Sequence, residues 1–226
     1  MALEWEKLDM TSQTASAPVT YPSGRVVALN VPAEEYLARY AGDFCEWSRG
    51  TVIKMAPVSS AHDRLSAYFR LLLEAYFALK PIGQVRSAPF VMRLDTLQTM
   101  REPDLQVILH TNSGNLTDTA MIGPADICIE IVSDESIARD YGDKFEEYEK
   151  AGVAEYWIVD PLRQECRFLR RQAMGRFATI LPDQSGHYRT PLLPGLELHV
   201  PTLWEEPLPD FFAIGQAVQT MLESAQ

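Results

Sequence analysis

Residues 124–160 read PADICIEIVSDESIARDYGDKFEEYEKAGVAEYWIVD, a strand pattern, a helix pattern and a second strand pattern in that order. In the first run, residues 126–132, alternation gives Ile127, Ile129 and Ile131 one face and leaves Glu130 on the other, between Cys128 and Val132. A carboxylate near the end of so apolar a strand calls for a partner, since pairing or metal coordination is the usual resolution for a buried acid. In the middle run, residues 136–151, Ile137, Tyr141, Phe145 and Tyr148 recur at i, i+4, i+8 and i+11, and Gly152 ends the helix. At about 100° per residue, Lys144 stands only about 20° from Ile137. It is expected to point back toward the sheet, with Asp143, Glu146 and Lys150 facing outward. Residues 155–159 form the second strand.

Upstream, residues 85–94 and 104–109 read as strands, the latter with Leu105, Val107 and Leu109 on one face and Asp104, Gln106 and Ile108 on the other. Residues 60–80 carry Leu65, Phe69, Leu72, Leu73, Tyr76 and Phe77 at helical spacing, ended by Pro81 and Gly83. The run FCEWSRGTVIKM, residues 44–55, predicts a hairpin about Arg49-Gly50, and Pro32 suits the first turn of a short helix. Downstream, residues 166–170 and 176–181 form another predicted hairpin, and residues 209–226 an appended helix. The segment TSQTASAPVTYPSG, residues 11–24, is small, polar and proline-containing, so residues 1–30 are expected to be a flexible arm. The reading is therefore α/β: one domain over residues 31–208, a central mixed β-sheet flanked by helices with added β-hairpins.

Twenty Lys and Arg against 31 Asp and Glu leave a formal charge of −11, which opposes tight non-specific attraction to phosphate. It does not exclude a nuclease, because a bound divalent cation offsets acidic charge locally. Cys45, Cys128 and Cys166 are widely spaced and form no CxxC knuckle, the start MALEWEKLDM has no apolar signal run, and no stretch suits a membrane span. A cytoplasmic, reduced protein with no membrane partner is expected.

Asp104, Glu130 and Lys144 together make a candidate set. Two hard carboxylates suit Mg²⁺ or Mn²⁺, and a lysine ammonium can orient or help deprotonate a water or stabilise charge on phosphorus. In-line phosphodiester hydrolysis is the reaction these parts suit. Each residue also has a plainer reading: Asp104 as a turn-ending aspartate after Pro103, Glu130 and Lys144 as a structural ion pair, and Lys144 as a stem lying along an apolar edge. Asp140 could pair with Lys144 at i, i+4, and Tyr148, Tyr156 and Trp157 are expected to be core.

The segments CEWSRGTVIKMAP, SSAHDRL, REPDL, GPADICIEIVS, KFEEYEKAGVAEYWIVDP and LLPGLEL, spread over residues 32–204, resemble the Uma2 (DUF820) family, a branch of the PD-(D/E)xK nucleases. The resemblance implies a restriction-endonuclease-like fold, a homodimer, and a Mg²⁺- or Mn²⁺-dependent endonuclease acting on DNA. It matches Asp104 and Glu130 to the metal-binding acids, with the main-chain carbonyl of Ile131 as a third ligand, and Lys144 to the water-positioning lysine. It also places Glu46 and His62 at the site. The chain departs from the pattern at Val132, where the usual lysine would stand, and at Arg49, Thr51, Lys54 and Asp134. A second class stays open: a catalytically silent binding or assembly module on the same fold, motivated by the acidic balance and the lack of a recognisable DNA-reading attachment. A basic rim from Arg64, Arg93 and Arg139 would favour the nuclease.

Overall fold

The structure, a computed structural model, describes residues 20–21 and 24–224. In chain order, β1 (Thr20–Tyr21) and β2 (Gly24–Ala28) precede α1 (Ala33–Arg39), the hairpin β3 (Cys45–Ser48) and β4 (Thr51–Lys54), and α2 (Ser60–Leu79). Next come β5 (Gly83–Ser87), β6 (Val91–Leu94), β7 (Thr99–Arg101), β8 (Leu105–Leu109), β9 (Asn115–Leu116), β10 (Ala120–Ile122), β11 (Ile127–Ile131) and α3 (Lys144–Ala151). β12 (Glu155–Asp160), β13 (Glu165–Arg171), β14 (Phe177–Ile180), β15 (His187–Arg189), β16 (Glu197–His199) and α4 (Phe211–Ser224) follow. Of the expected arm, residues 1–19 and 22–23 lie outside the described residues, while β2 already pairs with β4.

Where one central sheet was expected, the strands form two mixed sheets and a two-stranded ribbon of β15 and β16. The first sheet runs β14-β13-β12-β11-β8-β5, with β11 and β12 parallel and every other pair antiparallel. The second runs β1-β2-β4-β3-β7-β6-β10-β9, so the predicted first hairpin is not an addition but the middle of a larger sheet. The run read as one strand over residues 85–94 is two strands, one in each sheet. Pro89 lies between them and has no N–H to give a ladder, so pairing stops there.

Alternation along β8 and β11 sorts the core. Leu105, Val107, Ile127, Ile129 and Ile131 pack against α2 and α4, joined by Trp157 and Phe168. On the opposite face Ile108, Cys128 and Val132 meet Tyr148 of α3, Tyr156, and Met92 and Met121 of the second sheet. A third cluster seats α1, through Tyr36, on Trp47, Val52 and Met100. No helix among the described residues is long and apolar enough to cross a membrane.

The chain passes between the sheets twice in neighbouring places. Ala88-Pro89-Phe90 leads from β5 to β6, and Glu102-Pro103-Asp104 leads from β7 to β8. The Ala88 N–H donates to the Asp104 carbonyl at 3.1 Å, tying the two crossings together. Side chains from both sheets converge at this seam.

Candidate functional site

A cavity of about 380 Å³ opens at the seam, lined by Glu46, His62, Asp104, Glu130, Asp140 and Lys144 among others. Asp104 stands just before β8, and its Oδ2 accepts the Ile131 N–H of neighbouring β11 at 2.7 Å. Its position is thus set by an extended strand end that points a short carboxylate at the next backbone. His62 enters from the first turn of α2, which Ser59 caps through its Oγ at 3.2 Å from the His62 N–H, and His62 Nε2 lies 3.0 Å from Asp104 Oδ2. Burial works against protonation of this imidazole, but the hydrogen bond and charge of Asp104, with Glu130 and Asp140 beyond, raise its pKa above the ordinary value. Its Nδ1 is buried without a hydrogen-bond partner.

Lys144 is 2% exposed and lies 2.8 Å from Glu130 Oε2, 3.2 Å from Glu46 Oε1 and 3.5 Å from Asp140 Oδ1. Burial disfavours its charge, yet the three carboxylates outweigh burial and hold it protonated. Glu130 comes from the polar register of β11, as alternation requires, and its Oε1 accepts the Tyr148 hydroxyl at 2.7 Å. Burial pushes its pKa up to about 8; Lys144 pulls down, and Asp104, Asp140 and Glu46 push up again. Glu46, projecting from β3, shows the reverse balance. Burial raises it, but Lys144, Arg101 and Arg139 together hold it well below the usual carboxylate range.

Arg101 was not assigned to the site from the sequence, and Arg139 and Asp140 were named only as a possible rim cation and a possible partner of Lys144. Arg101 of β7 donates to Glu46 at 2.7 Å and grips Glu147 with two bonds of 2.7 and 2.9 Å. Arg139 was one of the residues whose basic rim would favour the nuclease; it is instead 4% exposed, 3.7 Å from Glu46 and 3.9 Å from Asp140. The cause is a π-helical turn over Arg139–Asp143, closed by the Lys144 N–H on the Arg139 carbonyl. Five residues apart, two side chains on an α-helix stand about 140° from each other, whereas an i→i+5 bond brings the fifth back over the first. Asp140 was foreseen as a partner of Lys144 and is 1% exposed; burial raises its pKa, with Lys144 and Arg139 only partly compensating. An arginine inside the strand of an REPD run was the available signal for Arg101, since a buried strand arginine demands carboxylates.

The other basic-rim candidates are elsewhere. Arg64 pairs with Glu206 and Arg93 with Asp95, and neither lines the cavity. Tyr148 and Tyr156 are core as expected, but their hydroxyls serve the site, the latter donating to the Asp140 carbonyl at 2.9 Å.

Among the described residues no group of three or more His, Cys, Asp or Glu side chains is arranged to hold a metal ion. Five acidic side chains, Glu46, Asp104, Glu130, Asp140 and Glu147, share Arg101, Arg139 and Lys144, with His62 beside Asp104. Glu46 Oε1 and Asp140 Oδ1 are buried and face the Lys144 ammonium at 3.2 and 3.5 Å. Carboxylate oxygens at the wall of a cavity are the donor type that a hard divalent ion takes.

Comparison with known proteins gives a family and a likeness of fold. Residues 33–201 match the model of the Uma2 family, described as "Putative restriction endonuclease". The crystal structure of a protein of Anabaena variabilis ATCC 29413, described as a "putative nuclease belonging to DUF820", is similar over 76% of this chain and 96% of that one. The TM-score is 0.63 at 15% identity, a likeness of fold. No match was found among curated proteins.

Proposed function

This chain belongs to the Uma2 family, and from that premise we propose that it is a Mg²⁺- or Mn²⁺-dependent endonuclease hydrolysing phosphodiester bonds in DNA, built on a restriction-endonuclease-like domain over residues 31–208. The observation that carries the reading is a fully buried, protonated lysine among carboxylates at the wall of a cavity that the partly exposed Asp104 also lines.

In this reading Asp104, Glu130 and the main-chain carbonyl of Ile131 hold the divalent ion. When bound, such an ion neutralises charge on a phosphate and lowers the pKa of a water. The protein's own residues do the rest. Lys144, kept charged by its neighbours, acts as a hydrogen-bond donor that orients the attacking water and stabilises charge growing on phosphorus. It does not act as the base that removes the water's proton. His62 holds Asp104 from the α2 side while Ile131 N–H holds it from β11, so the carboxylate is pre-oriented by two donors. Glu46, anchored by Arg101, fixes the lysine from the second sheet.

The rival reading, a silent binding or assembly module, draws on the same ion pairs, since Lys144 already has three acidic partners within the folded chain. Calorimetric titration of Mn²⁺ into the parent and into Asp104→Asn separates the two. The nuclease reading expects uptake by the parent only, together with cleavage of plasmid or oligonucleotide DNA that Asp104→Asn loses while melting like the parent. Cleavage that persists in a folded Asp104→Asn, Lys144→Met double variant would remove the nuclease assignment. Absence of both metal uptake and cleavage in the presence of DNA would leave the silent module.

A further inference from the structure

The mouth of the cavity carries apolar surface that the folded chain does not use. Phe44, on the turn before β3, is 49% exposed and Val58, in the loop between β4 and α2, is 53% exposed, and both line the cavity. The two segments are fastened at their base by Met55 N–H donating to the Phe44 carbonyl at 2.8 Å. Phe44 also adopts φ of 49°, the left-handed region, which costs a bulky L-residue energy that glycine or asparagine avoids. An exposed aromatic ring in a costly backbone conformation is repaid neither by burial nor by local geometry. Strained residues of this kind cluster at ligand-binding positions.

The cations around the same cavity are engaged. Arg139 and Lys144 are buried among carboxylates, and Arg70 at the rim is held by Glu74 at 2.9 Å and Ser87 at 2.8 Å. Duplex DNA carries one negative charge per about 1.7 Å of axis and is gripped mainly through phosphate contacts from Lys and Arg. The cations that line the cavity are already paired, whereas an aromatic platform beside a cavity is what an unpaired base stacks on. A base inside a duplex cannot reach that platform without leaving its stack.

Resting on the nuclease reading above, we propose that the substrate is single-stranded DNA, with an unpaired base stacked on Phe44 against Val58 while the adjoining phosphate enters the acidic cavity. The ring supplies affinity that is tolerant of sequence and only weakly dependent on salt.

The test is fluorescence anisotropy with a labelled short oligothymidine and with its duplex, in Ca²⁺, for the parent, Phe44→Gly, Phe44→Asn and Phe44→Trp. The proposal expects the single strand to bind the parent more tightly than the duplex. Phe44→Gly and Phe44→Asn should raise the single-strand Kd about 5- to 100-fold, the loss of one stacked base, and Phe44→Trp should retain binding. Both small variants suit the left-handed backbone, so both should melt no more than about 2 °C below the parent. Equal or tighter duplex binding, or unchanged single-strand binding in both small variants, overturns the inference and leaves the nuclease reading in place. A marked drop in melting temperature in both variants makes the ring structural and also overturns it. A parent that binds neither probe overturns this inference and the DNA reading together.

Discussion

Replacing Lys144 by methionine keeps the length and flexibility of the side chain and removes only its charge. Lys144 is 2% exposed and faces Glu130, Glu46 and Asp140 at 2.8, 3.2 and 3.5 Å, so the variant leaves three buried carboxylates with only Arg101 and Arg139 to answer them. Breaking a buried pair by removing one partner costs about 3–5 kcal/mol. At roughly 2–4 °C per kcal/mol for a domain of this size, the melting temperature should fall by about 10 °C at pH 8. The deficit should depend on pH with a definite sign. Burial raises the folded-state pKa of Glu130 and Asp140 above their unfolded values, to about 8 for Glu130 with the lysine in place. Without the lysine both rise further. A raised carboxyl destabilises progressively as pH climbs from the unfolded value, near 4.5 for Glu130, through the folded one. The loss should therefore shrink toward pH 5, and adding Glu130→Gln to Lys144→Met should recover part of it at pH 8. Differential scanning fluorimetry on the parent and the two variants at pH 5 and pH 8 measures this. A Lys144→Met protein melting within about 2 °C of the parent at pH 8 would refute the ion-pair reasoning.

Glu102 lies outside the proposed metal set, and burial pushes its pKa up to about 8, while its Oε2 is buried without a hydrogen bond. Glu102→Gln should therefore stabilise the protein by up to ~2–4 kcal/mol above pH 8, with the gain vanishing toward pH 4.5 in urea melts; a gain constant with pH would contradict the assignment. Tyr148→Phe removes the 2.7 Å donor to Glu130 and should cost about 1–3 kcal/mol in the same assay. Mg²⁺ or Mn²⁺ at a hundredfold excess over its Kd should stabilise the parent by about 2.7 kcal/mol, seen as a higher melting temperature, and Asp104→Asn should show no such rise.

Much of the first sheet was legible because short-range pattern and burial agree there. The isoleucines of 127, 129 and 131 do face α2 and α4, and Glu130 does fall on the other side with Lys144. Asp140 and Lys144 lie close on one helix, so a local rule sufficed. The second sheet was not legible, since its order depends on pairings such as β3 with β7 and β10 with β6, which no window of a few residues contains. The same reason hid Arg101, whose partners Glu46 and Glu147 are far from it in the chain. The burial of Arg139 was not legible because a uniform 100° step does not anticipate a π-turn. Glu46 and His62 were expected through family resemblance, and their neighbours in space, Lys144 and Asp104, come from distant segments.

The π-turn also bears on how relatives of this chain should be aligned. With i→i+5 closure, Arg139 and Lys144 share a face although five positions separate them. A relative with one residue fewer in that interval would close an ordinary α-helical turn and put the corresponding arginine and lysine at i and i+4, again on one face. A one-residue gap between those columns is then a change of helix type, not a lost lysine. Searches that demand a fixed spacing there would discard chains whose charge cluster is intact.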